Sequence, residues 1–283
     1  MRCASVSNLD LSTRNGRFAA IADGDDGAPV VMLLHGYPDH APSWRPVMRR
    51  LAGAGYRAVA PWLRGYAPSV LDGPHTIDQL ADDFTALADA LSPDAPVRIV
   101  GHDWGAIGTY PALAAAPGRF SAAVTMSVPH PGVFRGARNL SQLRRSWYVI
   151  LYQLPAIPAL VTPRRDFAMI DKLWRDWSPG YTPDPDEHAR LKDCLRASMP
   201  APVLYYRSIA KMMSRRPPRV SVPTLNLHGA DDGCVGASLT DGQDRWFDGP
   251  FRRDIVPGVG HFMQLEDPPA VADAIVGWFR DHD

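Results

Sequence analysis

Residues 97–105, VRIVGHDWG, join an apolar run to a turn that carries a carboxylate. The run VRIVGH is short and rich in β-branched residues, which is typical of a strand buried on both faces of a parallel sheet. The turn GHDWG places Asp103 between two glycines, in the frame G-x-D-x-G. This stretch predicts a strand, a sharp turn and a helix, with Asp103 presented at the turn.

Comparable strand patterns recur along the chain. They cover residues 29–36, 57–62, 122–128, 224–229 and 252–256. Helical patterns lie between the early runs, at 43–55 and at 77–92, where Thr76 is a candidate N-cap. The Asn15-Gly16 dipeptide adds a turn signal that predicts an N-terminal β-hairpin. Strands that alternate with helices predict βαβ units and a doubly wound, mostly parallel α/β sheet.

The alternation stops after Val128. Residues 130–218 are rich in Trp, Tyr, Arg and Pro, with helical patterns at 140–154 and 186–199 and no clear strand. Strand patterns then resume, and a helix over 268–281 closes the chain. We therefore expect a core of residues 1–129 and 219–283, with residues 130–218 inserted as a helical cap.

Composition narrows the classes of partner. The 283 residues are 46% hydrophobic, and 30 basic residues balance 30 acidic ones without a basic stripe. Nucleic acid and anionic membranes are therefore poor candidate partners. No segment approaches the roughly 18 uninterrupted apolar residues of a membrane span, and the N-terminus has no apolar signal region.

The cysteines point to a reducing compartment. Cys3, Cys194 and Cys234 are odd in number and widely spaced, and they form no C-x-x-C pair or metal-ligand cluster with nearby histidines. We expect free thiols in a cytoplasmic protein, with no metal and no cofactor.

Three ionisable residues follow predicted strands. Asp103 follows 97–102, Asp232 follows the 224–229 run, and His261 lies just after the 252–256 run. Because the carboxyl ends of parallel strands meet at one edge of a sheet, these side chains should converge. Asp231 is adjacent to Asp232, but the G-x-x-D spacing from Gly229 favours Asp232 as the acid. The alternatives to catalytic roles are that Asp103 caps the N-terminus of a helix and that His261 is an ordinary surface-loop residue.

Four motifs together resemble those of the epoxide hydrolases of the α/β-hydrolase superfamily. They are HGYPD (35–39), GHDWG (101–105), GxxD (229–232) and GVGH (258–261). The resemblance extends from about residue 17 to 280 and implies the α/β-hydrolase fold with an inserted helical cap. It includes two segments that look like parts of the family's cap, SWYVILYQLP (146–155) and LYYR (204–207). In the family, each of these segments carries a tyrosine that acts as an acid.

The resemblance also implies roles for single residues. Asp103 would be the nucleophile, and Asp232 would orient His261 as the base. Tyr148 and Tyr206 would protonate the leaving oxygen, with Tyr205 as the alternative to Tyr206. The backbone N–H groups of Tyr37 and Trp104 would form the oxyanion hole, and the Tyr37–Pro38 bond would be cis.

Chemistry explains a carboxylate at the turn. An epoxide carbon is sp³, so attack by serine would leave a stable ether, whereas attack by Asp103 leaves an ester that water can cleave. His261, oriented by Asp232, would activate that water, and the product would be a vicinal diol. The expected reactants are thus a small apolar epoxide and water.

Other readings use parts of the same pattern. A haloalkane or haloacid dehalogenase would form the same ester, but haloalkane dehalogenases commonly have Asn where this chain has Tyr37. Haloacid-type relatives tend to have Arg where this chain has Trp104. A non-catalytic binding protein would be expected to lack one or more of Asp103, Asp232 and His261. The sequence leaves open the physiological epoxide, the ring carbon attacked and whether the chain forms a homo-oligomer.

Overall fold

A computed structural model describes residues 6–135 and 140–282, and eight strands in these residues form one sheet. The strands are β1 (Ser7–Thr13), β2 (Gly16–Asp23), β3 (Val30–Leu34), β4 (Arg57–Pro61), β5 (Val97–His102), β6 (Phe120–Met126), β7 (Thr224–Gly229) and β8 (Phe251–Val256). Their order across the sheet is β1-β2-β4-β3-β5-β6-β7-β8. The pairs from β4 to β8 are parallel, whereas β1 and β2 are antiparallel to their neighbours.

The N-terminal hairpin lies where the Asn15-Gly16 turn predicts it. Thr13 of β1 pairs with Gly16 of β2, and Gly16 has a φ of +122°, which an L side chain rarely adopts. Glycine is therefore favoured at this turn.

Helices in the described residues complete the architecture. They are α1 (Arg45–Gly53), α2 (Ile77–Leu91), α3 (Trp104–Ala115), α4 (Leu140–Arg145), α5 (Trp147–Leu151), α6 (Ile157–Val161), α7 (Arg164–Trp177), α8 (Pro185–Ser198), α9 (Ala201–Leu204), α10 (Ile209–Ser214), α11 (Met263–Glu266) and α12 (Pro268–Arg280). The predicted cap at Thr76 is present, since its Oγ1 accepts a hydrogen bond from the N–H of Gln79 at 3.2 Å.

Two apolar layers cover the two faces of the sheet. On one face α2 and α3 bury residues such as Phe84 and Leu113. On the other face α1 and α12 bury residues such as Leu51 and Phe279. Helices on both faces explain why the central strands are apolar along their whole length, and the doubly wound α/β sheet predicted from the sequence is confirmed.

The chain between β6 and β7 forms helices α4–α10 and no strand within its described residues. We call α4–α10 the helical segment. The single pattern predicted over 140–154 is divided into α4 and α5 at Ser146, where Val149 N–H bonds the Ser146 carbonyl at 3.0 Å and tightens the turn. Apolar periodicity misses this division because apolar residues such as Leu143 and Trp147 keep a helical spacing across it.

Hydrogen bonds join the helical segment to the loops that follow β3 and β4. Trp174 Nε1 donates to Pro38 O at 3.0 Å, and Tyr205 Oη donates to Arg64 O at 2.8 Å. The N–H of Ala67 donates to Ser198 Oγ at 2.8 Å. These contacts place the helical segment beside the carboxyl ends of the strands. No helix in the part of the chain that the structure describes is long and apolar enough to cross a bilayer.

Candidate active site

The turn after β5 holds Asp103 in a strained conformation. Its φ is 51° and its ψ is −114°, and the helix α3 begins at the next residue. The flanking glycines are needed for close packing, because a Cβ on Gly105 would lie 2.2 Å from Leu34 O. A Cβ on Gly101 would lie 2.5 Å from the backbone of Gly105. The two glycines of the G-x-D-x-G motif thus let the strand and the helix pack closely, with Asp103 at the turn between them.

The Asp103 carboxylate accepts a backbone hydrogen bond. The N–H of Tyr37 donates to Asp103 Oδ1 at 2.8 Å. Trp104 is the first residue of α3, so its N–H has no acceptor within the helix. The Tyr37–Pro38 bond is cis, as the family resemblance implies. Gly36 lies so close that a Cβ there would be 2.3 Å from Asp103 Cβ.

His261 lies between two carboxylates. Its Nδ1 is 2.9 Å from Asp232 Oδ2, and its Nε2 is 3.7 Å from Asp103 Oδ2. The Nε2 atom is buried and has no hydrogen-bond partner among the described residues. Asp232 is held in turn, because its Oδ1 accepts the N–H groups of Cys234 and Val235 at 2.7 and 2.9 Å. Asp231 is exposed, so it is Asp232 that meets His261.

Three residues fix the backbone of His261, and two of them, Ser127 and Ser178, were not indicated by sequence patterns. Ser178 Oγ accepts the His261 N–H at 3.0 Å, while Ser127 Oγ and His102 Nε2 contact the His261 carbonyl at 2.7 and 2.9 Å. Ser127 has a φ of 62°. No local signal marks the two serines, since they lie far from His261 along the chain and the fold brings them together.

Charge and burial oppose each other at His261. Burial favours the neutral imidazole, but the charges of Asp232 and Asp103 and the hydrogen bond with Asp232 raise the pKa of His261 to about 10. Burial would raise the pKa of Asp232, but the nearby imidazolium and hydrogen bonds lower that pKa below its usual value. In this state His261 is therefore a cation between two anions.

The histidines in the two other motifs bond the backbone. His35 Nδ1 lies 2.9 Å from Gly36 O, and His35 Nε2 accepts the N–H of Leu63 at 3.1 Å. Burial lowers the pKa of His35 to about 4 and that of His102 to about 3. Both imidazoles are neutral at pH 7 and support the loops around Asp103 and His261.

A cavity of about 270 Å³ opens beside Asp103. Most of its lining is apolar, with Val128, Phe134 and Ile209 among the contributing side chains. Tyr148 and Tyr206 line the same cavity, and their rings are 5.7 Å apart in an edge-to-face arrangement. Burial raises the pKa of both tyrosines well above 10, so both hydroxyls keep their protons at pH 7.

Tyr205 points away from this cavity although it precedes Tyr206. Both belong to a 3₁₀ turn, Tyr205–Ser208, and the Tyr205 hydroxyl bonds Arg64 O. Tyr152 is a further tyrosine that the sequence did not single out. Its hydroxyl lies 2.6 Å from the Tyr37 hydroxyl, and its ring is 4.8 Å from that of Tyr206. Tyr37 and Tyr152 therefore pack together next to Tyr206, one of the two predicted proton donors.

Residues 31–274 match the family described as "Alpha/beta hydrolase family". The chain belongs to the alpha/beta hydrolase family.

Two similar proteins are both named epoxide hydrolases. Epoxide hydrolase 3 of Xenopus tropicalis is 31% identical over 278 residues, which cover 94% of this chain and 75% of that protein. Epoxide hydrolase 4 of Mus musculus is 28% identical over 280 residues, covering 94% and 77%. This α/β-hydrolase therefore groups with the epoxide hydrolases.

A solved structure supports the fold over the full length. It is described as one of the "novel epoxide hydrolases belonging to the alpha/beta hydrolases superfamily in metagenomes from hot environments". Its TM-score is 0.82 at 27% identity, and the match covers 97% of this α/β-hydrolase and 99% of that chain.

Cys234 adds a thiol to the site of this α/β-hydrolase. Its Sγ lies 3.3 Å from the Tyr148 hydroxyl, and it lines the cavity beside Asp103. Asp232, Cys234 and His261 are buried and offer ligand atoms within 4.8 Å of one another. The sequence did not predict this cluster because His261 is distant along the chain. Cys194 and Cys234 are free thiols, and Cys3 lies outside the described residues.

The arrangement has the parts needed for covalent catalysis. Asp103 lines the cavity, the backbone N–H of Tyr37 donates to one of its carboxylate oxygens, and Nε2 of His261 lies 3.7 Å from the other. Tyr148 and Tyr206 supply proton donors on the wall of the cavity. The fold therefore brings together all seven residues expected at the site, which are Asp103, Asp232, His261, Tyr148, Tyr206, Tyr37 and Trp104.

Proposed function

We propose that this α/β-hydrolase converts an epoxide into a vicinal diol through an alkyl ester on Asp103. The observation that carries the proposal is a carboxylate at the strand-to-helix turn that shares an apolar cavity with two protonated tyrosines. The similarity to proteins named epoxide hydrolase supports the same conclusion.

In the first step Asp103 attacks an epoxide carbon through the oxygen that faces the cavity. The C–O bond of the ring breaks, and a proton passes from Tyr148 or Tyr206 to the departing oxygen. The tyrosinate regains its proton from solvent. Apolar walls favour an apolar substrate, because they would leave a polar group without partners.

Ester formation changes the charge around His261. Asp103 becomes neutral, so one of the two anions that raise the pKa of His261 is lost. The imidazolium then releases its proton more readily, and the neutral ring can act as a base. The charge change thus prepares His261 for the second step only after the first has occurred.

In the second step water attacks the carbonyl carbon of the Asp103 ester, and its proton passes to Nε2 of His261. Asp232 stabilises the imidazolium through Nδ1. The N–H groups of Tyr37 and Trp104 stabilise the negative charge on the former carbonyl oxygen. Collapse of this intermediate releases the diol, whose leaving oxygen takes the proton from His261. The Asp103 carboxyl group then passes its remaining proton to His261, which restores the carboxylate and the imidazolium.

We assign the helical segment, within the interval 130–218, the role of a cap. Its Tyr148 and Tyr206 line one side of the cavity, while Asp103 and Trp104 of the sheet layer line the other. A substrate would therefore bind between the cap and the core. Residues 1–129 and 219–283 would form that core.

Trapping of the ester tests the proposal. A His261→Gln variant incubated with styrene oxide should gain the mass of the substrate on the peptide that contains Asp103, since the ester forms but is not hydrolysed. Asp103→Asn in the same background should gain none. An adduct from a haloalkane and none from any epoxide would favour a dehalogenase, and no adduct from either would favour a binding protein.

A further inference from the structure

We propose that the outer side of α4–α6 docks on the surface of an anionic lipid bilayer. Among the described residues eight large apolar side chains are exposed, and six of these lie within residues 143–160. We call the six the apolar face: Leu143, Trp147, Ile150, Leu154, Ile157 and Leu160. Apolar side chains exposed singly are ordinary, whereas a concentration of them in one short stretch marks a surface that binds another molecule.

The short helices present these side chains outward. In α5, Trp147 and Ile150 are three residues apart and exposed, while Tyr148 between them is buried. Ile157 and Leu160 have the same spacing in α6, and both are exposed. Residues three apart share one side of a helix, so each helix has an apolar side that faces solvent. Ile150 is 67% exposed and Leu160 is 62% exposed, so most of each residue lies open to a docking partner.

Positive charge accompanies the apolar face. Residues 140–165 contain no Asp or Glu. They contain four exposed arginines: Arg144, Arg145, Arg164 and Arg165. Arg145 donates to Asp232 O at 2.6 Å, whereas the other three have no ion-pair partner among the described residues. Arg144 and Arg145 line one open depression together with Trp147. The balanced charge of the whole chain, which disfavours an anionic membrane, therefore conceals a local excess of positive charge.

This combination favours a bilayer over a second copy of the chain. Two copies paired through the apolar face would bring arginines of both copies together, and like charges oppose association. The phosphates of anionic lipids instead supply the opposite charge, and the boundary between headgroups and acyl chains accepts apolar side chains. Trp147 suits this boundary because its indole joins an apolar ring to an N–H group.

Docking would bring the reaction close to the bilayer. The helix α5 presents Trp147 and Ile150 outward and Tyr148 to the cavity beside Asp103. An apolar epoxide partitions into lipid, so a docked enzyme would meet its substrate at a higher local concentration. This consequence rests on the proposed function, whereas the docking itself does not.

Sedimentation with lipid vesicles tests the docking without any substitution. The protein should pellet with vesicles of equal amounts of phosphatidylglycerol and phosphatidylcholine, and bind pure phosphatidylcholine vesicles about tenfold or more weakly. Raising NaCl from about 0.1 M to about 1 M should weaken binding to the anionic vesicles, because the screening length falls from about 10 Å to about 3 Å. Equal binding to both kinds of vesicle, or binding to neither, would overturn the proposal.

The apolar contribution is tested by Ile150→Ser/Leu160→Ser. Both residues are exposed, so the variant should unfold at the same temperature as the unsubstituted protein and bind anionic vesicles about tenfold or more weakly. Leu71→Ser/Ile255→Ser is the matched control, because it removes two exposed apolar side chains outside α4–α6 and should leave binding unchanged. An equal loss in both variants would contradict docking through the apolar face.

The charge contribution is tested by Arg164→Gln/Arg165→Gln. Each arginine near an anionic surface strengthens binding about fivefold, so the variant should bind anionic vesicles about twentyfold more weakly. Arg49→Gln/Arg50→Gln removes two exposed arginines of α1 and should leave binding unchanged. The same loss in the control would mean that total charge, rather than this surface, determines binding, and would overturn the proposal.

Two further measurements separate this proposal from its alternatives. A dimer in size-exclusion chromatography that Ile150→Ser/Leu160→Ser converts into a monomer, with no vesicle binding, would assign the apolar face to a second copy and overturn the proposal. Vesicle binding by a protein that hydrolyses no epoxide would support the docking and contradict the proposed function.

Discussion

His261 Nε2 lies 3.7 Å from Asp103 Oδ2, a distance too long for a hydrogen bond and suited to a water molecule approaching the carbonyl carbon. On its other side the same imidazole makes a 2.9 Å contact with Asp232. The ring is therefore fixed at one nitrogen and free at the other, which is what a base that acts on water requires.

Removing the charge of Asp232 should slow the hydrolytic step selectively. In Asp232→Asn the amide no longer stabilises the imidazolium, so we expect the turnover number to fall about 10³-fold or more. Rapid-quench measurements should show the Asp103 ester accumulating. Asp231→Asn is the matched control, because Asp231 is exposed, and its turnover should be unchanged. Equal slowing of ester formation and hydrolysis would contradict this role.

The two cavity tyrosines should act in ester formation. Tyr148→Phe and Tyr206→Phe should each reduce the single-turnover rate of ester formation about 10²-fold, since each removes one donor to the departing oxygen. The double variant should be slower than either single variant.

Tyr205→Phe provides the matched control for those variants. It deletes only the hydrogen bond to Arg64 O, so we expect a loss of about 1 kcal/mol in stability and an unchanged rate of ester formation. Thermal unfolding and single-turnover kinetics measure both. A Tyr205→Phe variant as slow as Tyr206→Phe would remove the distinction between the two tyrosines.

Neutralising Asp103 should lower the pKa of His261. Burial already disfavours the imidazolium, and Asp103 is one of the two anions that raise the pKa to about 10. Asp103→Asn imitates the charge of the ester, so NMR titration of the His261 ring should give a pKa below that of the unsubstituted protein. An unchanged value would mean that ester formation does not prepare the base. Asp231→Asn should leave the titration unaltered.

The raised pKa of His261 also determines how the contribution of this residue to the free energy of unfolding depends on pH. The pKa of His261 is raised from 6.5 to about 10, so its stabilising contribution is complete below pH 6.5 and is lost as pH rises through 10. From this group alone, the free energy of unfolding should fall by at most about 1.4 kcal/mol per pH unit between these values. His261→Gln should reduce the slope in urea unfolding experiments. A slope that is the same with Gln would assign it to other groups.

The lack of space between Gly36 and Asp103 gives a further prediction. A Cβ at position 36 would lie 2.3 Å from Asp103 Cβ, so Gly36→Ala must displace the carboxylate or the loop. We expect a loss of about 1 to 3 kcal/mol in stability and a fall in turnover of about 10²-fold. Gly277→Ala in α12 is the control, because open space surrounds that position and alanine should stabilise the helix by about 0.5 to 1 kcal/mol.

The strands and the turn at Asp103 were predictable because their signals are local. An apolar run followed by G-x-D-x-G determines strand, turn and helix within nine residues of sequence. Asp232 and His261 were also predictable, since a residue that follows a parallel strand must lie at the common edge of the sheet.

Contacts across the chain were not predictable from such signals. Ser127 and Ser178 bond the backbone of His261, and Cys234 meets Tyr148, only because the fold brings distant segments together. Tyr152 has an ordinary helical environment in the sequence, and its bond to Tyr37 depends on how the helical segment packs. The division at Ser146 was missed because the helical spacing of apolar residues continues across it.

The turn that holds Tyr205 and Tyr206 constrains how this protein can change over evolution. With about three residues per turn, adjacent side chains of a 3₁₀ turn point in directions about 120° apart, so one tyrosine anchors to Arg64 while the next reaches the cavity. Substitutions at the cavity wall can adjust substrate preference without moving this pair. An insertion or deletion of a single residue just before the turn would rotate both tyrosines, losing anchor and donor together, so the segment tolerates new side chains far better than a new length.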